Sequence, residues 1–410
     1  MPSHDEMSDE ELWDRTRSDD VSDRADSLME LASREQAIPD WEMAKSLYGS
    51  AADLYRDLEK ENSLGHAIYS LGYCQYRLGE YEEAIRSLAA SLQLGQEIID
   101  SKVIAYSAGP LADSYSANGE PDKAIEFYEI AVDAFVEIEV ETLAGINALA
   151  MGELHGIANR QTRALECFIR AFNIFQTGGD AIGAARAKDR MASCLIELGD
   201  YDQAVVHLKE SHEVFEFSEV VDRATYALYR IGWTLNLAGK YLQAELPLRE
   251  AAGAFRQAAE WSRAALAETQ LAYSLIFRDL ETENNYGQNL LNRAATYFEF
   301  AGELQNAWQV NSIKAELLAI RGDLAAAVVI WKDILDQATE NGDDYFVRSA
   351  RVNLAECLLE QGETMSAREQ LAEVDVASWG QNKVEIANFK RVQNLVLETL
   401  SETLNIVVVK

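Results

Sequence analysis

The chain has 410 residues, with 36 Lys plus Arg against 69 Asp plus Glu and a formal net charge of −33. A field of that sign repels phosphate backbones, so nucleic-acid binding through the general surface is excluded, while a basic partner is permitted. Hydrophobic residues at 48% and only 5 prolines point to an ordered, helix-favouring chain, and no apolar run approaches the ~18 residues of a membrane span.

Residues 1–24 open with Asp5, Glu6, Asp9, Glu10, Glu11 and Asp14. That is the reverse of a signal peptide's basic start, so a cytoplasmic protein is expected. The segment reads as a flexible acidic leader, either solvated or covering a groove. Ser8 with Glu11 predicts a capping box that opens a short helix through Trp13.

From residue 25 to 387 one pattern recurs in nine units, starting at 25, 65, 105, 145, 185, 225, 265, 308 and 348. The eighth place of each unit is small: Ala32, Gly72, Ala112, Gly152, Ala192, Gly232, Ala272, Ala315 and Ala355. The twentieth is again Ala or Gly throughout, as in Ala44, Ala84, Ala204 and Gly287. The twenty-fourth is bulky, as in Tyr48, Leu88, Phe168, Leu248 and Trp331. Antiparallel helices approach closely only where side chains are small and a large partner residue fills the space beside them. Between the two helices Gly79, Gly119, Gly199, Gly239, Gly322 and Gly362 supply the left-handed turn residue, with Pro39 and Asn159 at the same place in the first and fourth units. Each pair has an apolar face that only a neighbouring pair can cover, which predicts a stack.

Irregularities fall at three places. Gly109-Pro110 sits in the first helix of the third unit, and Pro247 in the second helix of the sixth, so a late start or a kink is expected at each. The seventh unit carries three extra residues in a polar loop from Arg278 to Tyr286. Cys74, Cys194 and Cys357 share one core slot, and with Cys167 they read as buried free thiols, since no CxxC pair occurs. Beyond the last unit a capping helix is expected over 382–404, followed by a β-prone tail at 405–410 that docks on the cap or pairs with another chain.

The small eighth residue, the Gly-x-Tyr turn (Gly79-Glu80-Tyr81, Gly199-Asp200-Tyr201, Gly239-Lys240-Tyr241), the Ala at twenty and the bulky residue at twenty-four resemble the tetratricopeptide repeat. The usual unit of that family is about 34 residues, so longer helices are expected here. HEAT repeats are the alternative by length, and the Gly-x-Tyr turn argues against them. The resemblance implies an all-α fold: a right-handed α-solenoid of about nine helix-turn-helix units with a C-terminal capping helix.

No HExxH, Walker loop, GxSxG or dinucleotide fingerprint occurs, and His207 and His212 are too far apart to share a helical face as a metal pair. No enzyme activity, cofactor or metal is expected. In the family the resemblance points to, the first helices line the concave surface and meet a protein or peptide ligand. That implies a groove of Tyr69, Tyr73, Tyr76 and Arg77 in the second unit and Arg186 and Arg190 in the fifth. The sixth adds Tyr226, Tyr229, Arg230 and Trp233, and the seventh Tyr273 and Phe277. Tyr and Trp give contact area with few rotors to freeze, and Arg gives forked donors for carboxylates. The same residue types serve equally as inter-helix packing. The carboxylate clamp of the family's co-chaperones is incomplete, because Gly109, Asp113 and Ala150 stand where its polar residues belong. The leading expectation is a non-enzymatic interaction scaffold. The alternatives are a peptide-responsive regulator acting through another protein and a self-assembling protein using the 405–410 tail, with the oligomeric state left open.

Overall fold

The computed structural model describes residues 4, 7–279, 285–375 and 383–408. Among these the chain is all helix and turn, and it divides into two compact units, residues 1–187 and 188–410.

The first compact unit opens with α1 (Asp9–Arg15), followed by the pairs α2 (Val21–Ala37) and α3 (Trp41–Asp57), α4 (Glu61–Arg77) and α5 (Tyr81–Ile98), α6 (Ser101–Ala117) and α7 (Pro121–Glu137), and α8 (Glu141–Ile157) and α9 (Gln161–Thr177). Helix α10 (Ala181–Leu198) carries the chain into the second compact unit. There follow α11 (Tyr201–Phe217), α12 (Val221–Leu237), α13 (Tyr241–Gln257), α14 (Trp261–Phe277), α15 (Asn285–Ala301), α16 (Leu304–Ile320), α17 (Leu324–Asn341), α18 (Asp344–Glu360), α19 (Thr364–Ala372) and α20 (Lys383–Val408). Within each unit consecutive helices pack on one another. First helices start about four residues before the sequence-defined unit starts, as α4 does at Glu61 against 65.

The packing follows the small-against-large pattern directly. A Cβ at Gly72 would stand 2.6 Å from Leu88, one at Gly152 2.5 Å from Phe168, and one at Gly232 2.3 Å from Leu248. Each pair joins the eighth place of a unit to its twenty-fourth. Such separations exclude any side chain and let the two backbones close up. Within-pair turns place Gly79, Gly119, Gly199, Gly239, Gly322 and Gly362 at φ between 69° and 85°, and Asn159 at φ 55°. The Schellman bond accompanies them: the Glu80 amide donates to the Gln75 carbonyl at 2.9 Å and the Asp200 amide to that of Leu195 at 2.8 Å. All four cysteines are buried free thiols.

Four features depart from the sequence expectations. The acidic leader is not loose: α1 begins at a Ser8–Glu11 capping box, Leu12 is fully buried, and Met7 packs with it against Leu31, Leu47 and Tyr48. Arg15 and His4 both bond Asp23 of α2, at 2.7 and 3.1 Å, and Arg34 reaches Asp9 at 2.7 Å. Apolar side chains of the first pair would otherwise face water, and α1 covers them. Secondly, α6 starts on time at Ser101 and runs through Pro110, as α13 runs through Pro247. The packed neighbours on both sides hold a helix that loses one hydrogen bond. Thirdly, the loop expected from Arg278 to Tyr286 is shorter, because Asn285 and Tyr286 already belong to α15; residues 280–284 lie outside the described residues. Fourthly, residues 405–408 are not a strand but the end of α20. Extending an existing helix adds one bond per residue without a new nucleus, and that outweighs local β preference. Residues 382, 409 and 410 lie outside the described residues. Phe389, Val392 and Val396 form the buried stripe by which α20 covers the end of the stack.

Candidate functional site

In the first compact unit, α4 places Tyr69 and Tyr73 one helical turn apart, half-buried, with Tyr76 beside them and Arg77 exposed. Their rings continue a series across helices: Trp41 to Tyr73 at 5.9 Å, Tyr73 to Tyr69 at 6.4 Å, Tyr69 to Tyr106 at 5.8 Å and Tyr106 to Phe135 at 5.2 Å. The Arg77 guanidinium lies 4.3 Å above Trp41 and donates to the Tyr73 hydroxyl at 3.2 Å. Cation–π contact therefore occupies one face of this arginine. Burial pushes the Tyr69 hydroxyl above its usual range. Burial also raises the Asp113 carboxyl, although Tyr128 donates to it at 2.5 Å.

A groove of about 680 Å³ in the same compact unit is lined by residues such as Asp26, Glu30, Ser33, Tyr48, Tyr55, His66 and Ser70. Tyr55 donates to Asp26 at 2.7 Å and Tyr48 to Gln36 at 3.0 Å. Of these residues Tyr48 stood out in the sequence, as a packing residue of the twenty-fourth place. The others, on α2, α3 and α4, are of types that repeat pattern alone does not separate from solvated surface.

In the second compact unit Arg230 is only 6% exposed. From α12 it donates to Asp189 Oδ1 at 2.5 Å, to the Asp189 carbonyl at 3.1 Å and to Ser193 Oγ at 2.8 Å. Its donors tie α12 to α10, so this arginine supports the site from beneath. Arg190 is exposed on α10, while Arg186 is half-buried on the part of α10 that belongs to the first compact unit. Tyr226 is exposed, Tyr229 and Trp233 are half-buried, and the Tyr226 and Tyr229 rings lie 5.9 Å apart. On α14, Tyr273 and Phe277 stack at 4.2 Å, with Tyr241 at 5.8 and 6.4 Å from them. Facing Tyr273, the Glu316 carboxyl is pushed up to about 7, first by burial and then by the Glu356 carboxylate, which Arg391 holds at 2.8 Å.

Tyr226 opens onto a pocket of about 330 Å³ lined by Asp189, Phe215, Asp222, Arg223, Tyr226 and Arg263. The Arg223 guanidinium lies 5.8 Å from the Phe215 ring, and that of Arg263 5.9 Å from Tyr226. Arg263 is paired with Glu260 at 2.7 Å. Arg223 has no ion pair among the described residues. Forked donors beside an aromatic wall suit a carboxylate or other planar acid. Sequence reasoning singled out Tyr226 and Arg230 but missed Arg223 and Arg263. Both lie in the first turn of a helix, before the sequence-defined start of their unit, and only the observed helix starts bring them into view. No three His, Cys, Asp or Glu side chains among the described residues are placed to hold a metal, and no described helix is long and apolar enough to cross a membrane.

Residues 63–135 and 183–257 match the tetratricopeptide repeat model. No curated protein sequence matches the chain significantly. Among solved structures, the apo form of RapI is 16% identical, with a TM-score of 0.56 over 82% of this chain and 98% of its own. A signal transduction ATPase with a tetratricopeptide repeat sensor from Pyrococcus horikoshii gives 16% identity and a TM-score of 0.57 over 73% of this chain. This chain spans only 45% of the length of that ATPase. The apo form of the quorum sensor NprR from B. thuringiensis gives 13% identity and a TM-score of 0.50, over 80% of this chain and 91% of its own. At such identities the likeness is one of fold, and the match to the tetratricopeptide repeat itself covers the helices within residues 63–135 and 183–257.

Proposed function

We propose that this tetratricopeptide-repeat chain is a non-enzymatic interaction scaffold, and that the pocket among Asp189, Arg223, Tyr226 and Arg263 seats an acidic group of a protein or peptide partner. The observation that supports this reading is Arg223: a guanidinium without an ion pair among the described residues, held against Phe215, in a chain with 69 carboxylate side chains. Tyr226 offers a ring with few rotors to freeze, and the buried Arg230–Asp189 tie fixes the floor. The Tyr273–Phe277 stack lies on another first helix of the same compact unit as the pocket, and the aromatic series on α4 lies on a first helix of the other unit. On this reading Tyr69, Tyr73, Tyr76, Arg77, Arg190, Trp233, Tyr273 and Phe277 contribute contact area, and Arg230 positions the pocket. A peptide-responsive regulator is a finer version of the same site, in which the ligand is a peptide. The self-assembling alternative loses its strand, because residues 405–408 are helical.

The test is affinity capture from cell lysate with wild type and with Arg223→Glu, Tyr226→Ala, each shown by far-UV circular dichroism to be equally helical. The expected outcome is a set of partners held by wild type and absent from the variant. Identical sets from both proteins would remove the pocket from the function.

A further inference from the structure

The turns that join one helix pair to the next differ between the two compact units. In the first unit the residues flanking these turns are Asp57 and Glu61, Glu97 and Ser101, Glu137 and Glu141, and Thr177 and Ala181, all polar but Ala181 and all exposed but the half-buried Ser101 and Glu141; one large apolar side chain, Ile99, stands exposed within these turns. In the second unit the equivalent places hold Phe217 and Val221, Gln257 and Trp261, and Phe300 and Leu304, before Glu340 and Asp344 restore the acidic pattern. Phe217 is 90% exposed, Phe300 93%, Val221 68% and Trp261 56%. A lone exposed apolar side chain needs no explanation. Five at equivalent places on three successive turns form a row, because α11 to α16 pack in order and bring those turns along one edge.

The turn itself does not require them. The Val140 amide donates to the Phe135 carbonyl at 2.9 Å across a polar turn, and the Val220 amide makes the same bond to Phe215 at 2.8 Å across the Phe217 turn. Identical backbone geometry is therefore built with Glu137 in one place and Phe217 in the other. The rim around the row is acidic. Glu219 and Asp222 flank Phe217 and Val221 without an ion pair among the described residues. Glu299 and Glu303 bracket Phe300. Of the nearby cations, Arg256 and Arg263 are paired with Glu268 and Glu260, Lys314 interacts with Glu299, and Arg223 lies at the pocket. A second copy of this chain would bring like charge against like at −33 per molecule. We infer that the edge carrying Phe217, Val221, Trp261, Phe300 and Leu304 docks an amphipathic segment of another protein, with apolar side chains flanked by Lys or Arg. Cationic side chains gain twice there, from the carboxylates and from the faces of Trp261 and the two Phe rings. This surface adjoins the pocket proposed above at Asp222, but none of its five apolar side chains lines that pocket.

The test uses the full chain and two labelled amphipathic helical peptides, one of Leu and Lys and one of Leu and Glu in the same order, followed by fluorescence anisotropy. Wild type is expected to bind the Leu/Lys peptide and not the Leu/Glu peptide. The variant Phe217→Ser, Trp261→Ser, Phe300→Ser should bind it about tenfold more weakly or worse. These side chains are on the surface, so an unchanged thermal transition is expected and serves as the folding control. Tyr226→Ala, which alters the pocket, should keep wild-type affinity for the peptide. No binding to wild type, equal binding to the triple variant, or equal binding of both peptides would overturn the inference. So would a wild-type dimer in sedimentation that the triple variant converts to a monomer, because the occupant would then be a second copy.

Discussion

Between the place where a Cβ would stand on Gly232 and the Leu248 side chain there are 2.3 Å, whereas Gly253, also inside a helix of the second compact unit, has nothing within 4 Å. Glycine in a helix interior costs ~0.5–1 kcal/mol relative to alanine when nothing opposes the extra methyl. Gly253→Ala should therefore stabilise the chain by about that amount. Gly232→Ala should instead destabilise it by about 1–3 kcal/mol, since the added carbon forces Leu248 or the backbone to move. Urea unfolding measures both, and a stabilising Gly232→Ala would defeat the close-packing account. These contacts were legible in the sequence because small and bulky residues recur in phase. The environment of Arg230 was not. Periodicity places a residue on a helix face, but it does not say whether a long side chain there reaches water or the next helix, and Arg230 reaches Asp189.

At the level of elements, the sequence showed the helix pairs, their glycine turns, the capping box that opens α1 and the capping helix after the last pair, but misread the leader as loose and residues 405–408 as β-prone. A seven-residue helix such as α1 has too few turns to show a period, and its carboxylates hide the one side chain that anchors it. Leu12 is fully buried against the first pair, together with Met7, Leu31, Ala44 and Leu47. Its removal opens a cavity under an element held otherwise by ion pairs from Arg15 and Arg34, and such pairs are worth little at a surface. Leu12→Ala should cost about 2–5 kcal/mol locally, with the upper half of the range reached only if the site fails to collapse. Hydrogen exchange should show the loss as lower protection in α1, α2 and α3, with no change in α16 to α18. A mobile leader, as the composition alone suggests, predicts no effect from the same substitution. The far end was misread for a related reason: valines at 407 and 408 favour a strand in isolation, yet they follow a helix that is already formed and seated by Phe389, Val392 and Val396.

Over the whole molecule the excess of acid acts on folding and on binding with opposite sign. Many cations are already committed to close pairs: Arg170 holds Glu129 and Asp133 at 2.7 and 2.5 Å, and Lys45 holds Glu42 and Glu80 at 2.8 Å each. Those separations are shorter than the Debye length at any ordinary ionic strength, which is roughly 30 Å at 0.01 M and 3 Å at 1 M. Repulsion among the remaining carboxylates acts over longer distances and is screened first. Raising NaCl from about 0.01 M to about 0.5 M should therefore raise the thermal midpoint followed by circular dichroism. A falling midpoint would mean that the close pairs, not the net charge, dominate the electrostatics of the fold. The same carboxylates attract a cationic segment to the edge of the second compact unit, and that attraction is screened over the same range. Affinity for the Leu/Lys peptide should accordingly fall while the midpoint rises. If both moved together, salt would be strengthening apolar burial rather than screening charge, and the acidic rim would have no part in selecting the partner.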